Sequence, residues 1–218
     1  MEPFHYADWE RREAYEFFST FSNPFYMVTF QTDITELYNY TKAHGLSFYC
    51  GMIWACTESI NRVRAFRVSL ENGKLALLDE RHPSFTDLKP GAEQFHIVTM
   101  KHRSTIEAFC EEAGRRSKAQ TFFVDLEQES DALIYYTCLP WIELTALTNE
   151  RDLSDPKAAD DSIPRISWGK YKDENGRKTI GISVEVNHRF IDGLHIGQFA
   201  AELEHCIRQL QGTTVPLG

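Results

Sequence analysis

The chain has 218 residues, 42% of them apolar and 25% charged, which is enough to bury a core of its own and reads as one domain over residues 1–218. Its net charge of −9 makes nucleic acid a poor partner, since phosphate recognition is built on excess Lys and Arg. No run approaches the ~18 apolar residues that cross a bilayer, so no membrane association is expected.

In chain order, the opening Met1-Glu2-Pro3-Phe4-His5-Tyr6 has no basic stretch followed by an apolar core, so a signal peptide is not expected. Asp8 to Phe21 reads as a helix with Asp8 as its N-cap, broken by Asn23-Pro24. Phe25 to Gln31 is rich in aromatic and β-branched residues, hence a strand. A helix starts near Asp33, with Ile34, Leu37, Tyr38 and Thr41 at helical spacing, and closes at Gly45. A more buried helix carries Met52, Cys56, Ile60 and Val63. Arg67–Leu70 and Lys74–Leu78 flank Asn72-Gly73, a hairpin signal. Phe95–Met100 is strand-like, and Ile106, Phe109, Cys110 and Ala113 mark another helix. Leu133–Thr137 and Trp141–Leu147 read as strands on either side of Cys138-Leu139-Pro140, and Asn149–Ser162 as a polar, acidic loop. Arg165–Lys172 and Lys178–Asn187 pair around Asn175-Gly176, and a last helix runs from Asp192 to Gln211 with Phe199, Leu203, Cys206, Ile207 and Leu210 inward. Strands and helices without regular alternation indicate α+β with a mixed, largely antiparallel sheet covered by helices.

Cys50, Cys56, Cys110, Cys138 and Cys206 are odd in number and without C-x-x-C spacing, so they read as reduced packing residues in a cytoplasmic protein. The segment that points to chemistry is Asn187-His188-Arg189-Phe190-Ile191-Asp192-Gly193, an H-x-x-x-D-G motif at the end of a strand. Ile180, Ile182, Val184 and Val186 occupy the even positions. Side chains alternate with period two, so His188 has the parity of the apolar face. A histidine there is a candidate general base.

At these residues the chain resembles the chloramphenicol acetyltransferase family, a fold shared with dihydrolipoyl acyltransferase cores. Trp9-Glu10-Arg11, Asp33-Ile34-Thr35, Phe48-Tyr49, the hairpin from Phe66-Arg67 to Asn72-Gly73-Lys74-Leu75, His82-Pro83, Pro140-Trp141, Gly169-Lys170-Tyr171 and Asp192-Gly193-Leu194-His195-Ile196-Gly197 match that family's landmarks in order. The resemblance implies a two-layer α/β subunit, a homotrimer with sites between subunits, and acetyl transfer from acetyl-CoA to a small hydroxyl acceptor. Chloramphenicol is the acceptor it implies first, and antibiotic resistance the role. It implies no metal and no acetyl-enzyme.

Residue by residue, the resemblance makes His188 the base and Thr137 the oxyanion donor, at a position where the family has serine. Ser167, where the family has threonine, becomes a water-mediated helper. Asp192 pairs with Arg11 as support for the site and does not act as a triad acid. Trp141 and Tyr171 would line the CoA tunnel, and Phe18, Pro24 and Tyr26 the acceptor pocket. Core packing is the alternative for the aromatic residues, and an ordinary strand threonine for Thr137. The cations Arg165, Lys170, Lys172, Arg177 and Lys178 would either attract CoA phosphates or form a solvated hairpin face. The chain departs from the family pattern at Pro24, Asn187 and Arg189, and its polar loop before Ser167 is longer; these changes bear on the acceptor more than on the reaction. Three other readings stay open: an acyltransferase acting on a lipoyl group, a metal site of His188, Asp192 and His195, and a non-catalytic binding relative.

Overall fold

The computed structural model describes residues 4–71, 73–152, 154–155 and 157–211. Nine strands and five α-helices alternate irregularly among these residues: α1 (Arg12–Phe18), β1 (Phe25–Asp33), α2 (Thr35–Ala43), α3 (Phe48–Arg62), β2 (Val68–Glu71), β3 (Lys74–Leu77), β4 (His82–Asp87), β5 (His96–Thr99), α4 (Ile106–Ala119), β6 (Leu133–Leu139), β7 (Arg165–Gly169), β8 (Lys172–Glu174), β9 (Arg177–Asn187) and α5 (Gly193–Gln209). Seven strands form one sheet in the order β1-β9-β7-β6-β4-β5, with β8 added alongside β9. β6 runs parallel to both β4 and β7, and the other pairs are antiparallel. This is the mixed sheet of an α+β fold.

The helices cover one face of it. Phe85, Ile134, Tyr136, Ile166, Trp168, Ile182 and Val184 meet Leu37, Ile53, Cys56, Phe109, Phe199 and Leu203 in a single buried cluster. α3 is the central helix and is apolar almost all round. Its hydroxyls find partners inside the core: Thr57 Oγ1 lies 2.8 Å from both the Ile53 carbonyl and the Tyr136 hydroxyl. Ser47 caps α3 through the Cys50 N–H, and Thr105 caps α4 through the Ala108 N–H. At the β8–β9 turn Asn175 and Gly176 both have positive φ, 55° and 88°, as a two-residue type I′ hairpin demands. Glu71 pairs with Lys74 across the β2–β3 turn, and Asn72 of that predicted turn lies outside the described residues.

Four expectations need correction. The first helix is shorter, Arg12–Phe18, because Tyr6–Asp8 forms a separate 3₁₀ turn folded by the aromatic contacts of Phe4, Tyr6, Trp9 and Tyr15; Arg11, not Asp8, stands at the N-cap. β4 was not anticipated: His-Pro-Ser-Phe-Thr-Asp has a proline and little apolar alternation. Trp141–Leu147 is not a strand. It crosses the sheet where Gly169 and Gly181 leave room, and a Cβ on Gly169 would stand 2.4 Å from the Ile142 carbonyl oxygen. The expected strand Arg165–Lys172 breaks after Gly169 into β7 and β8, where the Lys170 N–H bonds that same carbonyl at 2.6 Å.

The second face of the sheet is polar but not solvated. Ser183, Glu185 and Asn187, odd positions of β9, are buried and bond to Leu147, Asn149, and Ala159 and Asp161 in turn. Glu185 accepts from the Asn149 N–H at 2.8 Å and from Arg151 at 2.7 Å, and Arg151 also pairs with Asp161 and lies over the Phe25 ring. Ion pairs therefore strap the loop to the sheet, and among its described residues Ala158–Asp160 forms a 3₁₀ turn. No helix among the described residues is long and apolar enough to cross a membrane.

Candidate active site

β9 ends at Asn187, and the antiparallel register with β1 puts Asn187 opposite Phe25. The ladder continues for one more bond, from the His188 N–H to the Pro24 carbonyl at 2.8 Å. Tyr26 shares a register position with Val186 on the apolar side, so His188 emerges at the edge of that face, as its parity predicted. Its ring stacks on Phe18 with centroids 3.9 Å apart and planes 21° apart, and Tyr26 closes the other side at 4.4 Å. Pro24, Phe18 and Tyr26 are thus brought together around His188.

The chain then turns through Phe190 and Ile191, whose N–H groups both reach the Asn187 carbonyl at 3.1 Å. Asp192 follows as the N-cap of α5. It accepts from the Leu194 N–H at 3.0 Å, while His195 Nδ1 accepts from the Asp192 N–H at 3.1 Å to complete a capping box. Arg11 pairs with the Asp192 carboxylate through Nη1 and donates through Nη2 to the His188 carbonyl at 3.0 Å. One guanidinium therefore joins α1 to both the histidine backbone and the start of α5. Among the described residues no carboxylate hydrogen-bonds the His188 ring.

Electrostatics follow from this packing. Burial pushes the His188 pKa below the usual histidine value. The Arg11 charge lowers it further, and Asp192 opposes both. Burial and Arg11 thus favour the uncharged ring, the form a general base needs. Burial also raises the Tyr26 phenol to about 12, helped by Asp192, and its buried hydroxyl has no hydrogen-bond partner among the described residues. For Asp192, burial pushes its carboxyl up, but Arg11, His195 and the Leu194 N–H together outweigh that and leave it below the usual range.

The other expected site residues lie elsewhere. Thr137 on β6 and Ser167 on β7 are register partners, and Ser167 is in turn opposite Ser183 on β9. Ser183 precedes His188 by five residues, roughly 16 Å at ~3.3 Å per strand residue. One chain therefore does not bring Thr137 or Ser167 to its own His188. Thr137 instead lines a cavity of about 1050 Å³ with Phe85, Phe95, Tyr135, Leu139 and the largely exposed Trp141. Tyr171 does not join Trp141 there; it packs against Tyr38 at 5.3 Å and Phe48 at 6.0 Å. The expected cation cluster is largely neutralised in place: Arg165 by Asp161, Lys172 by Glu143, Arg177 by Asp33 and Lys178 by Asp173, at 2.7–3.0 Å. A free phosphate-attracting patch is not what these four form.

Sequence reasoning missed the polar frame behind the histidine. Asn187 and Arg189 are buried and bonded to residues 159–161, and Arg189 also reaches the Tyr15 hydroxyl at 2.7 Å. The available signal was a strand whose non-apolar face carried Glu185 and Asn187 beside a loop supplying Arg151 and Asp161.

The model of the chloramphenicol acetyltransferase family matches residues 3–204. Chloramphenicol acetyltransferases of Proteus mirabilis (23% identical over 209 residues, 91% of this chain and 90% of the relative) and Campylobacter coli (26% over 218 residues, 93% and 96%) are similar along nearly their whole length. A solved chloramphenicol acetyltransferase superposes with a TM-score of 0.83 at 22% identity, over 94% of this chain and 99% of that one. Dihydrolipoamide acetyltransferase of Azotobacter vinelandii superposes with a TM-score of 0.65 at 19% identity, over 91% and 88%.

Proposed function

The chain belongs to the chloramphenicol acetyltransferase family and is an acyltransferase; we propose that it transfers the acetyl group of acetyl-CoA to a hydroxyl of a small acceptor, with chloramphenicol the first candidate. The observation that carries the reading is His188: an imidazole held between the rings of Phe18 and Tyr26, its backbone pinned by Pro24 and Arg11. A ring nitrogen takes the acceptor's hydroxyl proton as that oxygen attacks the thioester carbonyl. The tetrahedral intermediate collapses, the C–S bond breaks, and the thiolate of CoA takes the proton back from the imidazolium. No acetyl-enzyme and no metal enter this path.

The reading assigns the oxyanion donor to Thr137 and water-mediated support to Ser167, with Trp141 and Tyr171 on the CoA side. With roughly 16 Å between them along the sheet, Thr137 would serve the His188 of another copy in this reading. A homotrimer with sites between subunits meets that requirement. Exposed apolar side chains flank both halves, Phe17 and Phe21 beside the histidine and Phe123, Leu126 and Trp141 beside the cavity, as expected of surfaces that associate. All five cysteines are free, which suits the cytoplasm. Resistance to the antibiotic is the role this reading implies.

The test is thiol release from acetyl-CoA with and without chloramphenicol. His188→Ala is expected to lower kcat by at least ~10²-fold in a folded protein, and near-normal turnover would refute the mechanism. Sharing of the site is tested by co-assembly. Mixed His188→Ala and Thr137→Ala copies should regain activity at about a quarter of their interfaces, where each partner supplies its intact residue; no recovery would refute the shared site. Lipoamide in place of chloramphenicol tests the rival acceptor for which Asn187-His188-Arg189 speaks.

A further inference from the structure

Three departures from the family pattern, Asn187, Arg189 and the long polar loop, meet at one atom. Asn187 Nδ2 and Arg189 Nη1 both donate to the Ala159 carbonyl at 2.8 Å. Asn187 Nδ2 also lies 3.0 Å from the Asp161 carbonyl, and Arg189 Nη1 lies 2.7 Å from the Asp160 carboxylate. The other arm of the Arg189 guanidinium, Nη2, donates to the Tyr15 hydroxyl on α1 at 2.7 Å, and its plane lies over the Tyr15 ring at 4.6 Å. Asn187 Oδ1 closes the turn by accepting the Arg189 N–H at 3.0 Å. Asn187 is 3% exposed and Arg189 7%, so the two donors are buried, while the Asp160 carboxylate reaches solvent.

We propose that Arg189 is a positioning residue: with Asn187 it clamps the 159–161 segment and α1 onto the backbone either side of His188, so that the loop holds the base in place. The residues flanking the histidine have no freedom to move while both grip the same peptide. α1 also carries Phe18, the ring on which His188 stacks, so the link from Arg189 to Tyr15 fixes the slot as well as the base. Misplacement of a catalytic group by about 1 Å can cost ~10²-fold in rate without any loss of binding. Arginine is suited to this place because its fork reaches an amide carbonyl, a carboxylate and a phenol from one rigid plane; lysine has a single point of attachment.

The proposal rests on acetyl transfer by His188, and its test separates the two. With acetyl-CoA and chloramphenicol, Arg189→Ala is expected to lower kcat by ~10–100-fold with little change in either KM. Added guanidinium should restore part of the rate, and Arg189→Lys should not. Asp160→Asn, at a half-exposed residue that leaves the fold intact, should move kcat in the same direction by less. A readout free of turnover is carbethoxylation of His188 by diethyl pyrocarbonate, followed by peptide mass spectrometry against the exposed His205 of the same chain. Loosening of the clamp should raise the His188 rate several-fold relative to His205. An unchanged His188 rate overturns the proposal, as does a variant that raises KM at unchanged kcat, which would make the loop a binding wall. If His188→Ala retains turnover, the functional reading falls, and the carbethoxylation rates still decide the positioning claim.

Discussion

Asp192 carries two separable loads, and substitution can tell them apart. Its carboxylate pairs with Arg11, whose side chain is 14% exposed against 35% for Asp192, and it caps α5 through the Leu194 N–H. Breaking a fully buried pair costs ~3–5 kcal/mol; with a third of Asp192 in solvent, ~2 kcal/mol is expected. Asparagine caps as well as aspartate, so Asp192→Asn isolates the pair, whereas Asp192→Ala adds the lost cap, ~1 kcal/mol. In a chain of this size 1 kcal/mol moves Tm by ~2–4 °C. Asp192→Asn should therefore melt ~4–8 °C lower and Asp192→Ala ~6–12 °C lower, by circular dichroism at fixed protein concentration. The carboxyl's folded pKa is depressed, so the pair stabilises fully above the unfolded value near ~3.9 and is lost as pH falls through the folded pKa. The asparagine penalty should accordingly be flat from pH 8 down to ~5. The decisive comparison is the cycle with Arg11→Leu. If the double variant equals the sum of the singles within ~0.5 kcal/mol, the two side chains are uncoupled and the structural argument fails.

The same pair makes a kinetic prediction of opposite signs. The acid limb of kcat/KM should lie below the ordinary histidine value; Arg11→Leu should move it up and Asp192→Asn down, and movement in one direction for both would refute the assigned influences on His188. Gly169→Ala and Gly181→Ala should each cost ~1–3 kcal/mol, since their new Cβ atoms meet the backbone of Ile142 and Leu144 at 2.4–2.7 Å; wild-type melting and an unmoved Trp141 fluorescence would contradict this. Arg81 is fully buried, its pKa lowered to about 10 by burial, and it donates to the carbonyls of Phe66, Val68, Asp131, Leu133 and Ser162. Five orphaned acceptors at ~1–3 kcal/mol each would consume the ~5–15 kcal/mol of a typical fold, so Arg81→Met should give no cooperatively folded protein, as checked by thermal unfolding.

What was readable in the chain was whatever short-range period encodes. The phase of Phe199, Leu203, Cys206 and Ile207 placed the buried stripe of α5, and Asn175-Gly176 placed the β8–β9 turn. Even-odd parity along β9 put His188 on the right face. Period alone could not say that Trp141–Leu147 crosses the sheet instead of joining it, because that depends on Gly169 and Gly181 arriving from elsewhere in the chain. Nor could it show that Glu185 is covered, because Arg151 is 34 residues away. The pairing of Arg11 with Asp192 came from the family resemblance alone: 181 residues separate the two, and no local pattern links them.

The absence of a carboxylate on the His188 ring among the described residues bears on how such a base works. Asp192, the nearest acid in sequence, is committed to Arg11 and to the first turn of α5. In an Asp–His arrangement the acid fixes the tautomer and stabilises the imidazolium; here neither service comes from Asp192 by direct contact. The ring is held instead by two aromatic faces and by its own backbone, whose N–H and C=O are both bonded to neighbouring elements. Its base strength is set at a distance, lowered by burial and Arg11 and raised by Asp192. A base of this kind is only as good as its placement, and two arginines bond its surroundings, the part-buried Arg11 on one side and the buried Arg189 on the other. On the proposed mechanism, proton abstraction by His188 depends on geometry held from both flanks, and loss of either arginine should be felt in kcat before it is felt in binding.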